Sequence, residues 1–299
     1  MKIFSGSAHP KLAKEIAKEL KVKLGEIKIS QFPNGEKRIR ITEEVKDENV
    51  LIIQPTITNE TIIEFCLIVD AAKRQKAKNV AAITPWFGYS AQDDVFRPGE
   101  PLSARVMAKI LEACGVDEVM IVDPHSSKIE SFFSIPVFLI SSLKLFTSLF
   151  KKKALNDFVV VALDLGAMER SLKFARELNL PLVLLQKTPR DRQTGEIGFL
   201  GIKGKVANKK VLFFDDFVST GQTLVKAAEF LKKEGAKEIT ACVTHYLPVE
   251  GLPERLQKSL INKIFMTNTL PVTKERKFSK LKIISIAPLL AKAIKDLLS

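Results

Sequence analysis

The segment that most constrains the fold of this chain is a run of β-favouring residues that ends in two adjacent carboxylates. Residues 211–214 are all apolar, and Asp215 and Asp216 follow them directly. A short turn of Ser, Thr and Gly comes next, and residues 224–231 then show the apolar spacing of an amphipathic helix that ends near Gly235. A strand, a polar loop and a helix N-terminus in this order predict an anion site, because the first N–H groups of a helix lack internal partners.

The side chains of this loop favour a phosphorylated sugar over a bare phosphate. Thr220 and Thr223 supply hydroxyl donors, whereas Asp215 and Asp216 would repel a phosphate and are suited to accept hydrogen bonds from sugar hydroxyls beside it. Ordinary turns and helix caps use the same residue types, but the strand before this loop and the helix after it favour a binding site. The sequence has no Walker A motif. We therefore predict a ribose 5-phosphate site.

Composition places the chain among ordinary globular proteins. Its 299 residues are 46% hydrophobic and 27% charged, which predicts two domains with sizeable cores and argues against disorder. The N-terminus lacks the apolar core of a signal peptide, and no apolar run approaches the length of a membrane span. Cys66, Cys114 and Cys242 lie far apart, so we expect reduced core thiols, no redox role and a cytoplasmic protein.

The formal net charge of +13 raises the question of a nucleic-acid partner. The lysines are mostly scattered over predicted helices, and the dense run at residues 151–153 belongs to no RNA-binding motif. We therefore expect a solvated cationic surface that attracts anionic substrates, and we do not expect nucleic acid as a partner.

Strand-like and helix-like segments alternate along the chain, which predicts parallel sheets covered by helices on both faces. The predicted strands are residues 3–4, 50–53, 80–83, 119–122, 159–163, 182–185 and 211–214, and the predicted helices are residues 10–20, 60–76, 102–114, 167–178, 222–234 and 288–298. Residues 112–125 and 233–245 share a pattern of helix end, glycine, strand and histidine. The predicted fold class is α/β, with two similar domains, each a mainly parallel sheet flanked by helices. We expect domains over residues 1–146 and 147–285, and a C-terminal helix in residues 286–299 that packs back on the first domain.

Polar side chains follow several predicted strands, at the sheet edge where ligands bind in open parallel sheets. The residues His125, Asp164, Lys187 and Arg190 each come shortly after such a strand. A histidine and several acids near a polyphosphate suit Mg²⁺, with phosphate and water as further ligands. Taken singly, His125 would more often be structural, but the shared position at strand ends favours a functional role.

Two further loops leave alternatives open. Residues 187–196 are polar, charged and turn-rich, and form either an exposed hairpin or a mobile lid that brings Lys187 and an arginine onto a transferring phosphoryl group. The phosphate loop nearby favours the lid. The turn at residues 32–36 lies between strand-like segments and by itself indicates only a hairpin.

These features together resemble one family over essentially the whole chain. The matching segments are residues 4–7, 32–36, 71–74, 92–93, 101–104, 123–127, Asp164, Lys187, 215–223, 244–245, 267–271 and 287–291. The chain is similar to the ribose-phosphate diphosphokinases, also called phosphoribosyl pyrophosphate synthetases. The resemblance implies phosphoribosyltransferase-type domains and transfer of the diphosphoryl group of ATP to the anomeric hydroxyl of ribose 5-phosphate, with phosphoribosyl pyrophosphate and AMP as products. It also implies Mg²⁺ and a dimer-based homo-oligomer, often a hexamer.

The same resemblance implies roles for particular residues. Lys187 would be the catalytic lysine, with Arg190 as the nearest replacement for the family's lid arginine, and His125 and Asp164 would be Mg²⁺ sites. ATP would be bound by Phe32, Asn34, Gly35, Glu36, Gln92 and Asp93, with the turn at 32–36 reaching ATP from a neighbouring subunit. Ribose 5-phosphate would be bound by Asp215, Asp216, Ser219, Thr220, Gly221, Gln222 and Thr223.

Several positions depart from the family pattern. Ala91 stands where the family usually has Arg, Pro189 displaces the lid arginine by one residue, and Gln222 stands where Gly is common. Residues 94–96 replace a stretch that is often basic. These departures keep a second hypothesis open, a non-catalytic homologue that serves active synthetases as a regulatory subunit. A third hypothesis, a phosphoribosyltransferase, accounts for the loop but not for the full-length match.

Overall fold

The computed structural model describes residues 1–151, 154–187 and 198–298 of the chain. These residues form two units, each with its own sheet. The first unit comprises Met1–Ser141, Thr269–Pro271 and the segment from Ser285 to the C-terminus, and the second comprises Ser142–Asn268 and Val272–Ile284. Both ends of the chain therefore belong to the first unit.

The first unit contains a parallel sheet and a separate hairpin. Its strands are β1 (Lys2–Ser5), β2 (Ile27–Gln31), β3 (Lys37–Ile41), β4 (Asn49–Ile53), β5 (Asn79–Thr84), β6 (Glu118–Val122) and β7 (Val137–Ile140). Five of them form a parallel sheet in the order β1-β4-β5-β6-β7, while β2 and β3 pair antiparallel. Its helices are α1 (Pro10–Leu20), α2 (Asn59–Arg74), α3 (Ser103–Ala113) and the C-terminal helix α8 (Ala287–Leu298).

The limits and the buried face of α1 follow from its sequence. Pro10 occupies the first turn, where its missing N–H costs no hydrogen bond, and the His9 ring accepts a hydrogen bond from the Leu12 N–H at 3.4 Å. The apolar residues at helical spacing are buried, Ile16 among them. α8 packs against α1, and the Ser285 hydroxyl before it donates a hydrogen bond of 2.7 Å to Glu15. The last helix is thus part of the core of the first unit.

The second unit is built on a seven-stranded sheet. Its strands are β8 (Phe158–Ala162), β9 (Leu182–Lys187), β10 (Phe199–Lys203), β11 (Lys210–Val218), β12 (Glu238–Tyr246), β13 (Lys263–Thr267) and β14 (Leu281–Ile284). Their order is β10-β9-β8-β11-β12-β13-β14, and all neighbours are parallel except β9 and β10. Its helices are α4 (Leu143–Ser148), α5 (Met168–Leu178), α6 (Gln222–Lys233) and α7 (Leu252–Lys258).

The strand order of the second sheet reverses between β8 and β11. From β8 the chain proceeds outward to β9 and β10, and from β11 it proceeds outward in the opposite direction to β12, β13 and β14. Moreover, β8 pairs only with residues 210–212 of β11, whereas β12 stays paired with β11 as far as Val218. Such a reversal opens a crevice at the carboxyl ends of the two strands, where α/β sheets bind ligands.

The mainly parallel sheets and their flanking helices confirm the predicted α/β class. The predicted end of a strand at residue 214 is wrong, because pairing with β12 carries β11 through both acids to Val218. The strand predicted to end at residue 185 likewise continues, and Lys187 is the last residue of β9 rather than part of the following loop. No helix in the described ranges is long and apolar enough to cross a membrane.

Candidate functional site

The loop between β11 and α6 has the geometry of an anion site. Gly221 directly precedes α6, and its backbone lies in the left-handed region, with φ of 71°. As the N-cap residue, Gly221 offers no side chain to cap this helix. The Gln222 N–H donates to the Thr220 hydroxyl at 3.4 Å, and the other N–H groups of the first turn suit an anionic ligand. Arg255 of α7 holds the loop in place by donating a hydrogen bond to the Thr220 carbonyl oxygen. The loop therefore suits the predicted phosphate.

Glycine is required at position 221 for two reasons. L-residues rarely adopt its positive φ, and a Cβ there would lie 2.5 Å from Cδ1 of Leu252 in α7. Gly251, which precedes α7, has nearly the same conformation with φ of 76°, but a Cβ there would meet only the end of the Arg255 side chain at 3.9 Å. The loop before α6 is thus pressed against α7, whereas the loop before α7 is open.

The two acids of β11 lie together under one arginine. Nη1 of Arg170, in the first turn of α5, is 2.5 Å from Oδ1 of Asp215 and 2.8 Å from Oδ1 of Asp216. The Asp215 side chain is 18% exposed, that of Asp216 is 6% exposed, and that of Arg170 is 21% exposed. Most of the charge is therefore sheltered from water.

This environment shifts the titration of Asp215. Burial, and after it the negative charge of Asp216, raise the pKa of Asp215 to about 7, while Arg170 acts in the opposite direction. Hydrogen-bond donors that approach the carboxylate from a ligand favour its charged form. The acid is thus close to its change of protonation state at neutral pH.

A second ion pair lies at the adjacent strand ends. Nζ of Lys187, at the end of β9, is 3.1 Å from Oδ2 of Asp164, which follows β8. The other carboxylate oxygen of Asp164 accepts a hydrogen bond of 3.0 Å from the Ala167 N–H at the start of α5. The structure therefore brings together the predicted catalytic lysine and one predicted metal ligand. Arg190, the other predicted catalytic residue, lies outside the described residues.

In the first unit, the loop between β5 and α3 carries two residues predicted to bind ATP. Gln92 accepts a hydrogen bond of 2.6 Å from Ser103 at the start of α3. Asp93 accepts one from Ser126, the neighbour of His125 in the loop after β6. In the same loop, Asp123 has a positive φ of 31°, a strained value for a residue other than glycine. Gln92, Asp93 and His125 therefore lie on two linked loops at the carboxyl edge of one sheet.

The remaining residues predicted to bind ATP lie on the β2–β3 hairpin, as expected for a turn between two strands. The Gly35 N–H donates to the Phe32 carbonyl at 2.8 Å, and Gly35 has a φ of 89°. Asn34 accepts a hydrogen bond from the Glu36 N–H at 3.2 Å. The tip is exposed and belongs to a separate two-stranded sheet, so its link to the Gln92 loop stays a prediction.

The sequence analysis did not single out Arg170. Its position holds a signal, because Arg170 is the third residue of α5, where the helix dipole disfavours a positive charge. A cation at such a position needs nearby carboxylates, and Asp215 and Asp216 supply them. A cation in the first turn of the helix that follows β8 could therefore have been considered as a partner of the two acids.

The similarity of this chain to known proteins extends over nearly its whole length. Residues 1–115 match the family model of the N-terminal domain of ribose phosphate pyrophosphokinase, and residues 194–299 match that of the phosphoribosyl synthetase-associated domain. The chain is 37% identical to the ribose-phosphate pyrophosphokinase of Caldanaerobacter subterraneus subsp. tengcongensis, over 98% of this chain and 93% of that relative. It is 36% identical to the protein of the same name from Wolinella succinogenes, over 98% of this chain and 94% of the relative.

A solved structure gives the same result. The crystal structure of phosphoribosylpyrophosphate synthetase from Mycobacterium smegmatis superposes with a TM-score of 0.91 and 34% identity, covering 99% of this chain and 98% of that chain. The resemblance thus includes both units and runs to relatives whose names describe the catalytic activity. This outcome supports the catalytic interpretation over the regulatory-subunit hypothesis.

Proposed function

The chain belongs to the ribose-phosphate pyrophosphokinase family and transfers the diphosphoryl group of ATP to ribose 5-phosphate, and we propose that the crevice between β8 and β11 binds the sugar phosphate. The observation that carries this proposal is the meeting of a helix N-terminus that begins at a glycine and two sheltered carboxylates at the reversal of the strand order. The two features have opposite electrostatic preferences. Only a ligand with a phosphate at one end and hydroxyls at the other satisfies both.

The proposed binding mode assigns each end of the ligand. The N–H groups of the first turn of α6 and the hydroxyls of Thr220 and Thr223 hold the 5-phosphate. Asp215 and Asp216 accept hydrogen bonds from the ribose hydroxyls. Ser219, Gly221 and Gln222 complete the loop around the phosphate.

Lys187 has the charge and position for the transfer step. The 1-hydroxyl oxygen of the sugar attacks the β-phosphorus of ATP, the bond from that phosphorus to the oxygen shared with the α-phosphate breaks, and AMP leaves with the bond's electron pair. The hydroxyl proton is released. Lys187 stabilises the negative charge that grows on the departing oxygen, and Asp164 orients the ammonium group until substrate arrives. Arg190 remains the proposed lid arginine.

We also propose that the reaction requires Mg²⁺, with His125 and Asp164 among its ligands. Among the residues that the structure describes, no three His, Cys, Asp or Glu side chains cluster to hold a metal ion. The donors present fit a cation held mainly by substrate phosphates and water, as Mg²⁺ usually is in phosphoryl-transfer sites. When bound, the ion would neutralise phosphate charge. A Mg²⁺ titration of His125→Ala tests this assignment, and an unchanged requirement would make His125 structural.

ATP is the proposed ligand of the first unit, held by Gln92, Asp93 and the hairpin tip with Phe32, Asn34, Gly35 and Glu36.

Self-association as a dimer-based oligomer is the further proposal. It is supported by an apolar groove of about 340 Å³ between α2 and α3, which is lined by the exposed side chains of Ile63, Val106 and Ile110. We propose a cytoplasmic location for this metabolic enzyme.

One assay tests the function. Purified protein with ATP, Mg²⁺ and ribose 5-phosphate should release AMP in step with phosphoribosyl pyrophosphate, and omission of the sugar phosphate should abolish AMP release. A matched measurement with Asp216→Asn should show weaker ribose 5-phosphate binding and little change for ATP. If the protein instead consumes phosphoribosyl pyrophosphate together with a nucleobase, the phosphoribosyltransferase hypothesis replaces this one.

A further inference from the structure

Arg170 is a charged side chain at the sugar crevice to which the proposed chemistry gives no task. Its guanidinium spans both carboxylates of β11, at 2.5 Å from Asp215 and 2.8 Å from Asp216. The Arg170 side chain is only 21% exposed. A cation that merely balanced charge at the surface would not need to be buried to this extent. The arrangement suggests that the arginine has a defined function in the site.

The protein core fixes the position of this arginine. Phe174 lies one helical turn after Arg170 on α5, and its ring stacks on Phe214 with centroids 5.0 Å apart. Phe214 immediately precedes Asp215 on β11. The stacked rings therefore attach α5 to β11 next to the acids, and this attachment sets the guanidinium over them.

Electrostatics explains what the arginine does there. Two adjacent carboxylates that are largely buried repel each other, and one of them takes up a proton when no cation is near. Within the described ranges, the cation that faces this pair in hydrogen-bond contact is Arg170 from α5, and the negative charge of Asp164 after β8 also acts on Arg170. Lys187 in turn pairs with Asp164 at 3.1 Å. Arg170 thus forms an ion pair with both acids at once.

We propose that Arg170 is a positioning residue of the ribose 5-phosphate site, which orients Asp215 and Asp216 and favours their charged forms so that both accept hydrogen bonds from the ribose hydroxyls. The inference rests on the proposed function, since it takes the ribose hydroxyls to be the ligands of these acids. Arg170 acts through the two carboxylates and does not itself contact the reacting atoms. Loss of Arg170 should therefore weaken the binding of ribose 5-phosphate and leave that of ATP unchanged, and the size of this effect should depend on pH.

The test compares three variants of Arg170 with a matched control on the same helix. Arg170→Met removes the charge, Arg170→Gln keeps a hydrogen-bond donor without charge, and Arg170→Lys keeps the charge without the planar fork. The control is Arg176→Met, an exposed arginine two turns further along α5. Each purified full-length protein is assayed for AMP release over a range of ribose 5-phosphate and ATP concentrations, from pH 6 to about pH 9, within the range in which carboxylates of raised pKa titrate.

We expect the KM for ribose 5-phosphate to rise roughly 10- to 100-fold in Arg170→Met, as for loss of a charge-assisted hydrogen bond, with the KM for ATP changed by less than about twofold. The acid limb of kcat/KM for ribose 5-phosphate should move to higher pH by about one unit or more, because a carboxyl without its cation holds its proton longer. Arg170→Lys should recover most of the pH profile, and Arg176→Met should match the wild type. If Arg170→Met does not fold, the same rise in the KM for ribose 5-phosphate and the same shift of the acid limb are expected of Arg170→Gln.

Two results would overturn the inference. Equal increases of both KM values, with an unshifted acid limb in Arg170→Gln, would make Arg170 a purely structural residue. Wild-type kinetics in both neutral variants would show that the acids need no cation. The proposed function is tested independently of these variants. It fails if the wild-type protein releases no AMP, whatever the kinetics of the Arg170 variants.

Discussion

Replacement of Gly221 by alanine tests the phosphate loop, and Gly251→Ala provides its matched control. Both glycines directly precede a helix, and their backbones are nearly identical, with φ and ψ of 71° and 0° for Gly221 and of 76° and −1° for Gly251. They differ in their surroundings. A Cβ at position 221 would lie 2.5 Å from Cδ1 of Leu252, whereas at position 251 the nearest atom is 3.9 Å away.

The expected magnitudes follow from this difference. Both variants place an L-residue in the left-handed region, which costs about 1–2 kcal/mol. Only Gly221→Ala also overpacks a buried contact, and forcing extra volume into a packed site costs about 1–3 kcal/mol more. Leu252 is fully buried, and buried side chains are closely packed with few voids. The alanine at 221 therefore relieves the clash by displacing the loop before α6, and the N–H groups that would bind the phosphate move with it.

Urea unfolding followed by circular dichroism compares the wild type with the two variants, and steady-state kinetics measures their KM for ribose 5-phosphate. Gly221→Ala should lose more stability than Gly251→Ala by about 1–3 kcal/mol, and its KM for ribose 5-phosphate should rise while that of Gly251→Ala stays near the wild-type value. Equal destabilisation by both variants would refute the steric reasoning. A normal KM in a destabilised Gly221→Ala would show that the phosphate does not bind at this loop.

Three other outcomes are expected. Because the folded-state pKa of Asp215 is raised from 3.8 to about 7, the folded protein keeps this proton where the unfolded chain has lost it, so stability should fall as pH rises from about 4 to 7. Urea midpoints of Asp215→Asn should lack that fall, and an identical pH dependence would contradict the shifted pKa. Lys187→Ala should lower kcat by roughly 10²–10³ with little change in KM, since the cation acts on charge that develops in the transition state; near-normal turnover would remove Lys187 from the mechanism. Ile110→Glu places a charge in the apolar groove and should reduce the sedimentation coefficient of the oligomer, whereas an unchanged coefficient would locate the interface elsewhere.

Local sequence patterns predict correctly those helices and strands whose ends are determined by neighbouring residues in the chain. The predicted helix at 10–20 coincides with α1 because Pro10 and the apolar spacing that follows determine its start and its buried face. The end of β11 could not be read in this way. The apolar run stops at Phe214, but the strand continues through two acids because β12 supplies backbone partners as far as Tyr246. A strand end that depends on its neighbour is a tertiary property, and no local pattern encodes it.

The same distinction applies to the candidate site. Asp215, Asp216 and the loop to Thr223 are contiguous in sequence, so their shared pattern predicted an anion and sugar site before any fold was known. Arg170 is separated from Asp215 by 45 residues and reaches it only through the packing of α5 on β11. The pairing of Lys187 with Asp164 also depends on two neighbouring strands. Sequence patterns therefore predict the residues of one loop as a site, whereas the arginine beside them is brought there by tertiary packing.

The first unit combines residues 1–141 with the segment that begins at Ser285, and this arrangement determines when it can be completed during synthesis. The second unit has all its residues once Ile284 has been added, whereas the first still lacks α8, which packs against α1. Leu290 and Ile294 of α8 are fully buried in the finished protein, so their partners in the first unit wait uncovered while the entire second unit is translated. A chain whose synthesis has passed Ile284 but not yet reached α8 thus has a complete second unit and an incomplete first unit. The closing element of the N-terminal fold is therefore α8, a helix that is synthesised only after the entire second unit.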